Sequence, residues 1–269
     1  MQRINLALAR GAATSSLRII DPVNPASWEF SGFSQNGEDG IIEYLAGKIG
    51  NPNRYFIEIG SSDGIENNTA WLAIAKKYSG IMVEGDNKRS TFSIEIMGEL
   101  NLGVECLNMF LSRDNVDELA KMSLYKNPDL MSIDIDGNDY YITKGLMESD
   151  LRPKIFVVEY NSVYGPSNSC TIKYKEDFNF KKAHDSQLYF GVSITGWKIF
   201  FNYYNYKLVT VDNNGVNAFF VDKNEFDGNY LNNIQGMDFV ENYYLKMKYK
   251  VPWDIQFNLI KEMEFFEIK

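Results

Sequence analysis

The chain has 269 residues, 45% of them hydrophobic, enough to bury the core of one large domain or of one domain with an appended segment, and this argues against disorder. A formal net charge of -9 argues against sequence-independent binding to nucleic acid, whose phosphates demand a basic surface. Cys106 and Cys170 form no CxxC pair and so supply neither a disulfide framework nor a zinc site. No apolar run reaches membrane-spanning length and the opening stretch has too short an apolar segment for a signal peptide, so the expected location is the cytoplasm.

In chain order, SQNGEDGIIEYLAGKIG predicts a helix entered at Ser34 to Glu38, with Ile41, Ile42 and Leu45 on its inner face. Tyr55 to Ile59 is the first strand, followed by a glycine-rich turn, a helix and a second strand closing on Glu84. Val104 to Ser112 predicts a third strand and DNVDELAKM a short helix. Leu130 to Gly137 and Lys154 to Asn161 are the fourth and fifth strands, continuous enough in apolar character to be buried on two faces. YKLVTV, the turn DNNG and VNAFFV (Val216 to Val221) form a hairpin signal. The order is that of a doubly wound α/β sheet, and Asn224 to Lys269 reads as a helical appendage. Domain limits are expected at 1-50 for a helical segment closing over a ligand, 51-222 for the nucleotide-binding domain and 223-269 for the C-terminal extension.

The most informative stretch is Tyr55 to Asp86, half of a nucleotide-binding α/β unit. Gly60 and Gly64 allow a sharp turn and close approach to a ligand, and the Glu84 carboxylate can accept from both hydroxyls of a ribose. A dinucleotide fingerprint would need glycine where the turn carries Gly60, Ser62 and Ile65, so two of its three positions fail. Glu58 and Asp63 would repel a pyrophosphate but suit a cationic sulfonium and ammonium. The pattern Glu58, Gly60, Gly64 resembles the first motif of class I S-adenosylmethionine (SAM) methyltransferases.

SQNGEDG at 34 to 40, FIEIGSSDG at 56 to 64, MSIDIDGND at 131 to 139, VVEYN at 157 to 161 and the ending YFGVSITGW, YKLV, GVNAFFV together resemble an FkbM-type methyltransferase over residues 30 to 222. The resemblance implies a Rossmann-like class I methyltransferase fold: a mostly parallel seven-stranded sheet with a terminal antiparallel hairpin and helices on both faces. It implies O-methylation of a sugar hydroxyl in a glycan, capsule precursor or natural product, with SAM as methyl donor. Glu58, Gly60, Asp63 and Gly64 would surround the methionine part of SAM, Glu84 the ribose and Asn108 the adenine edge. Gln35 and Glu38 would close over it from the N-terminal helix, although Ser34 and Glu38 also fit a plain helix cap.

A sugar hydroxyl is too weak an acid to ionise at neutral pH, so methyl transfer needs a general base or a cation that lowers its pKa. The carboxyl ends of the fourth and fifth strands carry Asp134, Asp136, Glu159 and Asn161, an oxygen set suited to magnesium or manganese. Strand alternation would place Asp134 and Asp136 on one side. His184, the only histidine, is the other choice for base or ligand, and Asp134 and Asp136 are catalytic in the same scheme. Lys173, Lys175, Lys181 and Lys182 would suit the diphosphate of a nucleotide-linked sugar, or are simply a solvated basic face.

Two alternatives come from other classes. Asp134-Ile135-Asp136 resembles the Asp-x-Asp of a metal-dependent glycosyltransferase, and the whole could be a non-catalytic Rossmann-like binding module. The expected partner is a small-molecule or nucleotide-linked sugar, not nucleic acid, and a homodimer is compatible with the sequence.

Overall fold

The computed structural model describes residues 1–269. Helices α1 (Gln2–Ser16) and α2 (Glu38–Ala46) precede strand β1 (Tyr55–Ile59), which a long loop and a π-helical turn (Trp71–Ala75) connect to β2 (Ser79–Glu84). Then come α3 (Asn87–Leu100), β3 (Val104–Asn108), α4 (Val116–Met122), β4 (Leu130–Ile133), α5 (Asp139–Glu148) and β5 (Ile155–Glu159). The remainder is β6 (Cys170–Ile172), α6 (Phe180–Ala183), α7 (Ile194–Tyr203), β7 (Tyr206–Val211), β8 (Asn217–Asp222), α8 (Gly228–Asn233), α9 (Tyr243–Tyr249), α10 (Trp253–Phe257) and β9 (Phe265–Glu267).

Seven strands form one sheet in the order β3-β2-β1-β4-β5-β8-β7. The first five are parallel, while β8 runs antiparallel to both β5 and β7. This is the Rossmann-like architecture expected for a class I methyltransferase, with the terminal hairpin and with helices on both faces. Alternation along each strand sorts the core into two halves. Tyr55, Ile57 and Ile59, with Phe156 and Val158, pack against α4, α5 and α7. Phe56, Leu130, Ile155, Val157 and Phe219 face the other way, against α2, α3 and the π-helical turn. Strand order reverses between β1 and β4, which opens a crevice at their carboxyl ends.

Several expectations change. The fourth strand stops at Ile133, so Asp134 and Asp136 leave it in a loop where Asp136 takes a left-handed φ of 54°. Alternation therefore does not set their side. The third strand ends at Asn108, and Met109 to Leu111 beyond it line the crevice, while the fifth spans Ile155–Glu159, shorter than its apolar run. Between β1 and β2 the expected helix shrinks to the π-helical turn: Asn67 Oδ1 accepts from the Thr69 and Ala70 N–H groups and holds the preceding residues in a loop. The C-terminal stretch is helical only in short pieces and ends in β9, which pairs antiparallel with β6. Ile4 of α1 and Ile268 lie in the two halves of the main core, while Ile260 joins a smaller cluster with Val163, Tyr164, Ile172, Leu188 and Tyr189.

At the opposite, amino edge of the sheet, Lys154 Nζ lies 2.8 Å from Asp129 Oδ1 with both side chains buried. Asp129 also accepts from the N–H groups of Asn53 and Arg54, and Lys154 donates to the Asn51 carbonyl, so this pair joins the starts of β1, β4 and β5. Lys154→Met strands a buried carboxylate and should cost about 3–5 kcal/mol in a denaturant titration. Adding Asp129→Leu should recover a large part; a double variant no better than the single would show that the lost charge is not the cause.

Candidate functional site

A cleft of about 730 Å³ lies at the carboxyl ends of β1, β2 and β4. Its floor is the loop after β1. Gly60 has φ of +86°, and a Cβ there would come 1.7 Å from the Asp134 carbonyl oxygen, so only glycine lets the loop pass the end of β4. Gly64, at φ +75°, would likewise press a Cβ on Ser93 Oγ of α3 at 2.5 Å, which places it behind the cleft wall. The Glu84 carboxylate accepts from Ser62 N–H and Asp86 N–H, each at 2.8 Å, and so ties that loop to the end of β2. Both oxygens keep a second lone pair, and Glu84 lines the cleft.

The N-terminal segment forms the roof. Asp39 is fully buried and its Oδ2 accepts from the N–H groups of Gly32, Phe33 and Ser34, while Ser34 Oγ accepts from Asp39 N–H. The reciprocal cap is thus Ser34 with Asp39, not Ser34 with Glu38. Glu38 is released to line the cleft, where it accepts from Asn36 N–H at 2.6 Å and from Asn217 Nδ2 at 2.8 Å. Gln35 donates to Glu66 at 2.5 Å, and Arg3 of α1 bridges Asp63 and Glu66 at 2.5 and 2.6 Å. Asp63 lines the cleft, but Arg3 and the N–H groups of Ile65 and Glu66 already engage its carboxylate. Nothing in the sequence marked Arg3, which meets Asp63 across 60 residues.

Asp134, Asp136 and Glu159 present carboxylate oxygens that all lie within 4.8 Å of one another. Asp139 shapes the loop between them by accepting from Ile135 N–H and Gly137 N–H at 2.9 and 2.8 Å. That turn holds Asp136 left-handed, a strained conformation for an aspartate that sits at a cleft. Glu159 Oε2 is buried without any donor. Three oxygen ligands of this kind fit a hard divalent cation.

The other expected site residues sit elsewhere. Asn161 is buried, its amide N–H₂ donating to Leu188 and Phe190 carbonyls and its oxygen accepting from Val163 N–H; it fastens a loop and its oxygen is already engaged. His184 Nδ1 accepts from Ser186 N–H at 3.1 Å and pairs with Ser186 Oγ, and the ring does not line the cleft. Asn108 donates to the Glu84 and Gly85 carbonyls and braces the edge on which Met109 and Phe110 form an apolar wall. Lys173 and Lys175 are in surface ion pairs with Glu264 and Asp177.

Burial raises the proton affinity of these acids together. Glu58, 1% exposed yet part of the cleft wall, is pushed up to about 8 by desolvation, with Glu38 adding repulsion. Its Oε1 accepts from Asn68 N–H and its Oε2 has no donor, which suits a cationic ligand group. Desolvation, then mutual repulsion, also holds Asp134 and Glu159 well above the carboxylate range. Asp39 is raised to about 7 and Asp139 to about 6, again first by burial. An acid whose folded pKa is raised contributes stability that is complete below its unfolded pKa and lost as pH rises through the folded one. The melting temperature of the ligand-free chain should therefore fall between pH about 5 and 8. Glu58→Gln should flatten the upper part of that decline, and a wild-type melting temperature that rises over this range would contradict it.

No family model matches the chain, and no curated protein does. Among solved structures it is similar to an O-methyltransferase from Bacillus cereus in complex with SAH, at 16% identity over 83% of this chain and 91% of that one, with a TM-score of 0.46. It is similar also to an rRNA methylase from Streptococcus thermophilus, at 9% identity over 67% of this chain and 93% of that one, TM-score 0.41. A SAM-dependent methyltransferase from Aquifex aeolicus is similar at 9% identity over 67% of this chain and 88% of that one, TM-score 0.39. Likeness at this level is one of chain path, and the fold stands on its own strand order and register.

Proposed function

We propose that this chain is a SAM-dependent O-methyltransferase acting on a sugar hydroxyl with the help of a divalent cation. One observation carries the proposal: the glycine loop with Glu58 and Glu84 lines the same cleft as Asp134 and Asp136, whose carboxylates Glu159 adjoins, at the strand-order reversal. The first set suits an adenosine with a cationic tail, the second an acceptor oxygen beside it. The FkbM-type motifs point the same way, since they coincide with the segments that build floor, roof and acid cluster.

In this scheme Glu84 accepts from the ribose hydroxyls, Met109 and Phe110 flank the base, and Glu58 Oε2 faces the ammonium. The sulfonium supplies an activated methyl: its S–C bond breaks as the acceptor O–C bond forms, leaving a thioether. A cation on Asp134, Asp136 and Glu159 would orient the acceptor oxygen and stabilise it as an alkoxide. The acceptor hydroxyl, made more acidic by that cation, would lose its proton to water in the cleft, since Asp134, Asp136 and Glu159 would be engaged as ligands. His184, whose ring does not line the cleft, has no part in this scheme. Arg89 lines the cleft, and it and Lys181 act on Asp136 electrostatically, so the acceptor end carries cations that suit an anionic group such as the diphosphate of a nucleotide-linked sugar.

Thermal shift is the direct test of the donor. S-adenosylhomocysteine at about 100 times its Kd should stabilise the chain by about 2.7 kcal/mol, and Gly60→Ala should abolish the effect. Stabilisation by sugar nucleotides plus manganese alone would favour the glycosyltransferase alternative, and stabilisation by neither would leave a binding module. Turnover on a panel of nucleotide-linked sugars, read by mass for a methyl gain, should stop on chelation and fall at least 100-fold in Glu159→Ala; unchanged turnover after chelation would remove the cation from the mechanism.

A further inference from the structure

Asn217 opens β8 directly opposite Glu159 in the antiparallel β5–β8 register, so the two side chains share one face of the sheet. It is 3% exposed, and it lines the cleft. Its Nδ2 donates to Glu38 Oε1 at 2.8 Å, which fixes the amide plane and turns Oδ1 away from Glu38. That Oδ1 has no donor, and neither does the neighbouring Glu159 Oε2. A buried acceptor left without a donor is costly, and one on each of two paired residues, one of them in a carboxylate cluster, marks a place where a positive group belongs.

We infer that Asn217 Oδ1 is a fourth protein ligand of the divalent cation held by Asp134, Asp136 and Glu159, and that Glu38 positions it. The inference rests on the cation assigned under the proposed function and adds a ligand from the hairpin, on a strand outside the parallel set. Three carboxylates and one amide oxygen leave coordination positions for water and for an acceptor oxygen, as a hard cation requires. The arrangement also joins the metal site to the roof. Glu38 accepts from Asn36 N–H and Nδ2 as well as from Asn217, and Asn36 Oδ1 in turn accepts from Asn214 Nδ2 at 3.0 Å and Tyr244 O–H at 2.9 Å. Occupancy of the cation site and seating of residues 34 to 38 are thereby coupled, because a ligated Asn217 holds Glu38 in place.

The test is a Mn²⁺ titration of the full-length chain by electron paramagnetic resonance, with melting curves as a fold control and hydrogen exchange at residues 34 to 38. Asn217→Ala should weaken Mn²⁺ roughly 10- to 100-fold and Glu38→Gln by about 10-fold, the range for lost ligands and their supports. Asn217→Asp combined with Glu38→Gln, which keeps a ligand oxygen at 217 and a hydrogen bond to residue 38, should bind at least as tightly as wild type. Mn²⁺ should slow exchange at residues 34 to 38 in wild type but not in Asn217→Ala. Wild-type affinity in a folded Asn217→Ala, with binding lost in Glu159→Ala, would overturn the role of Asn217 and leave the cation standing. A wild-type chain that binds no Mn²⁺ would overturn both.

Discussion

Carboxylates crowded onto one face of a parallel sheet edge are the constraint to which the rest of the site answers. Glu58 lies one residue before the end of β1 on the side of Phe56, Glu159 ends β5 on the side of Ile155 and Val157, and α2 brings Glu38 to the cleft. Parallel strands bring all their carboxyl ends to one edge, so acids placed there repel one another in a desolvated space. Such an arrangement persists only where the fold holds it rigidly or where a positive ligand relieves it.

The buried acids divide into two kinds by what their oxygens accept. Asp129, Asp139 and Asp212 each have both oxygens taken by N–H groups or a lysine, and each fixes a turn or a strand entry. Glu58 and Glu159 at the cluster, and Asp39 in the roof, each leave one buried oxygen without a donor. Asp139 makes the distinction concrete: two backbone N–H groups occupy it completely, and the loop it shapes is what carries Asp136 to the cluster.

Closure of the site depends on contacts from far along the chain. Asp39 gathers three N–H groups of residues 32 to 34 and so gives the roof segment its shape. Arg3 then latches α1 onto Asp63 and Glu66. Asp212, through the N–H groups of Asn214, Val216 and Asn217, forms the hairpin turn that delivers Asn217 beside Glu159. Roof, hairpin and acid cluster thus meet at the Glu38–Asn217 hydrogen bond.

Local pattern determined much of this. Apolar runs bounded by glycine and acids located all seven strands of the sheet, and the glycines at 60 and 64 marked the turn that passes β4. The acids at the strand tips were visible because a charged residue ending an apolar run is a local feature. Only the tertiary structure decided which of them converge. Alternation failed for Asp134 and Asp136 because their strand ends at Ile133, and a left-handed residue then redirects the chain. Asn161 and His184 matched the chemistry sought, yet backbone groups brought near by loop packing claim the Asn161 amide, and the His184 ring, held at Nδ1 by Ser186, does not line the cleft. Asn217 carries no local signal, since its place opposite Glu159 follows from a pairing between strands 58 residues apart, with register set by the whole sheet.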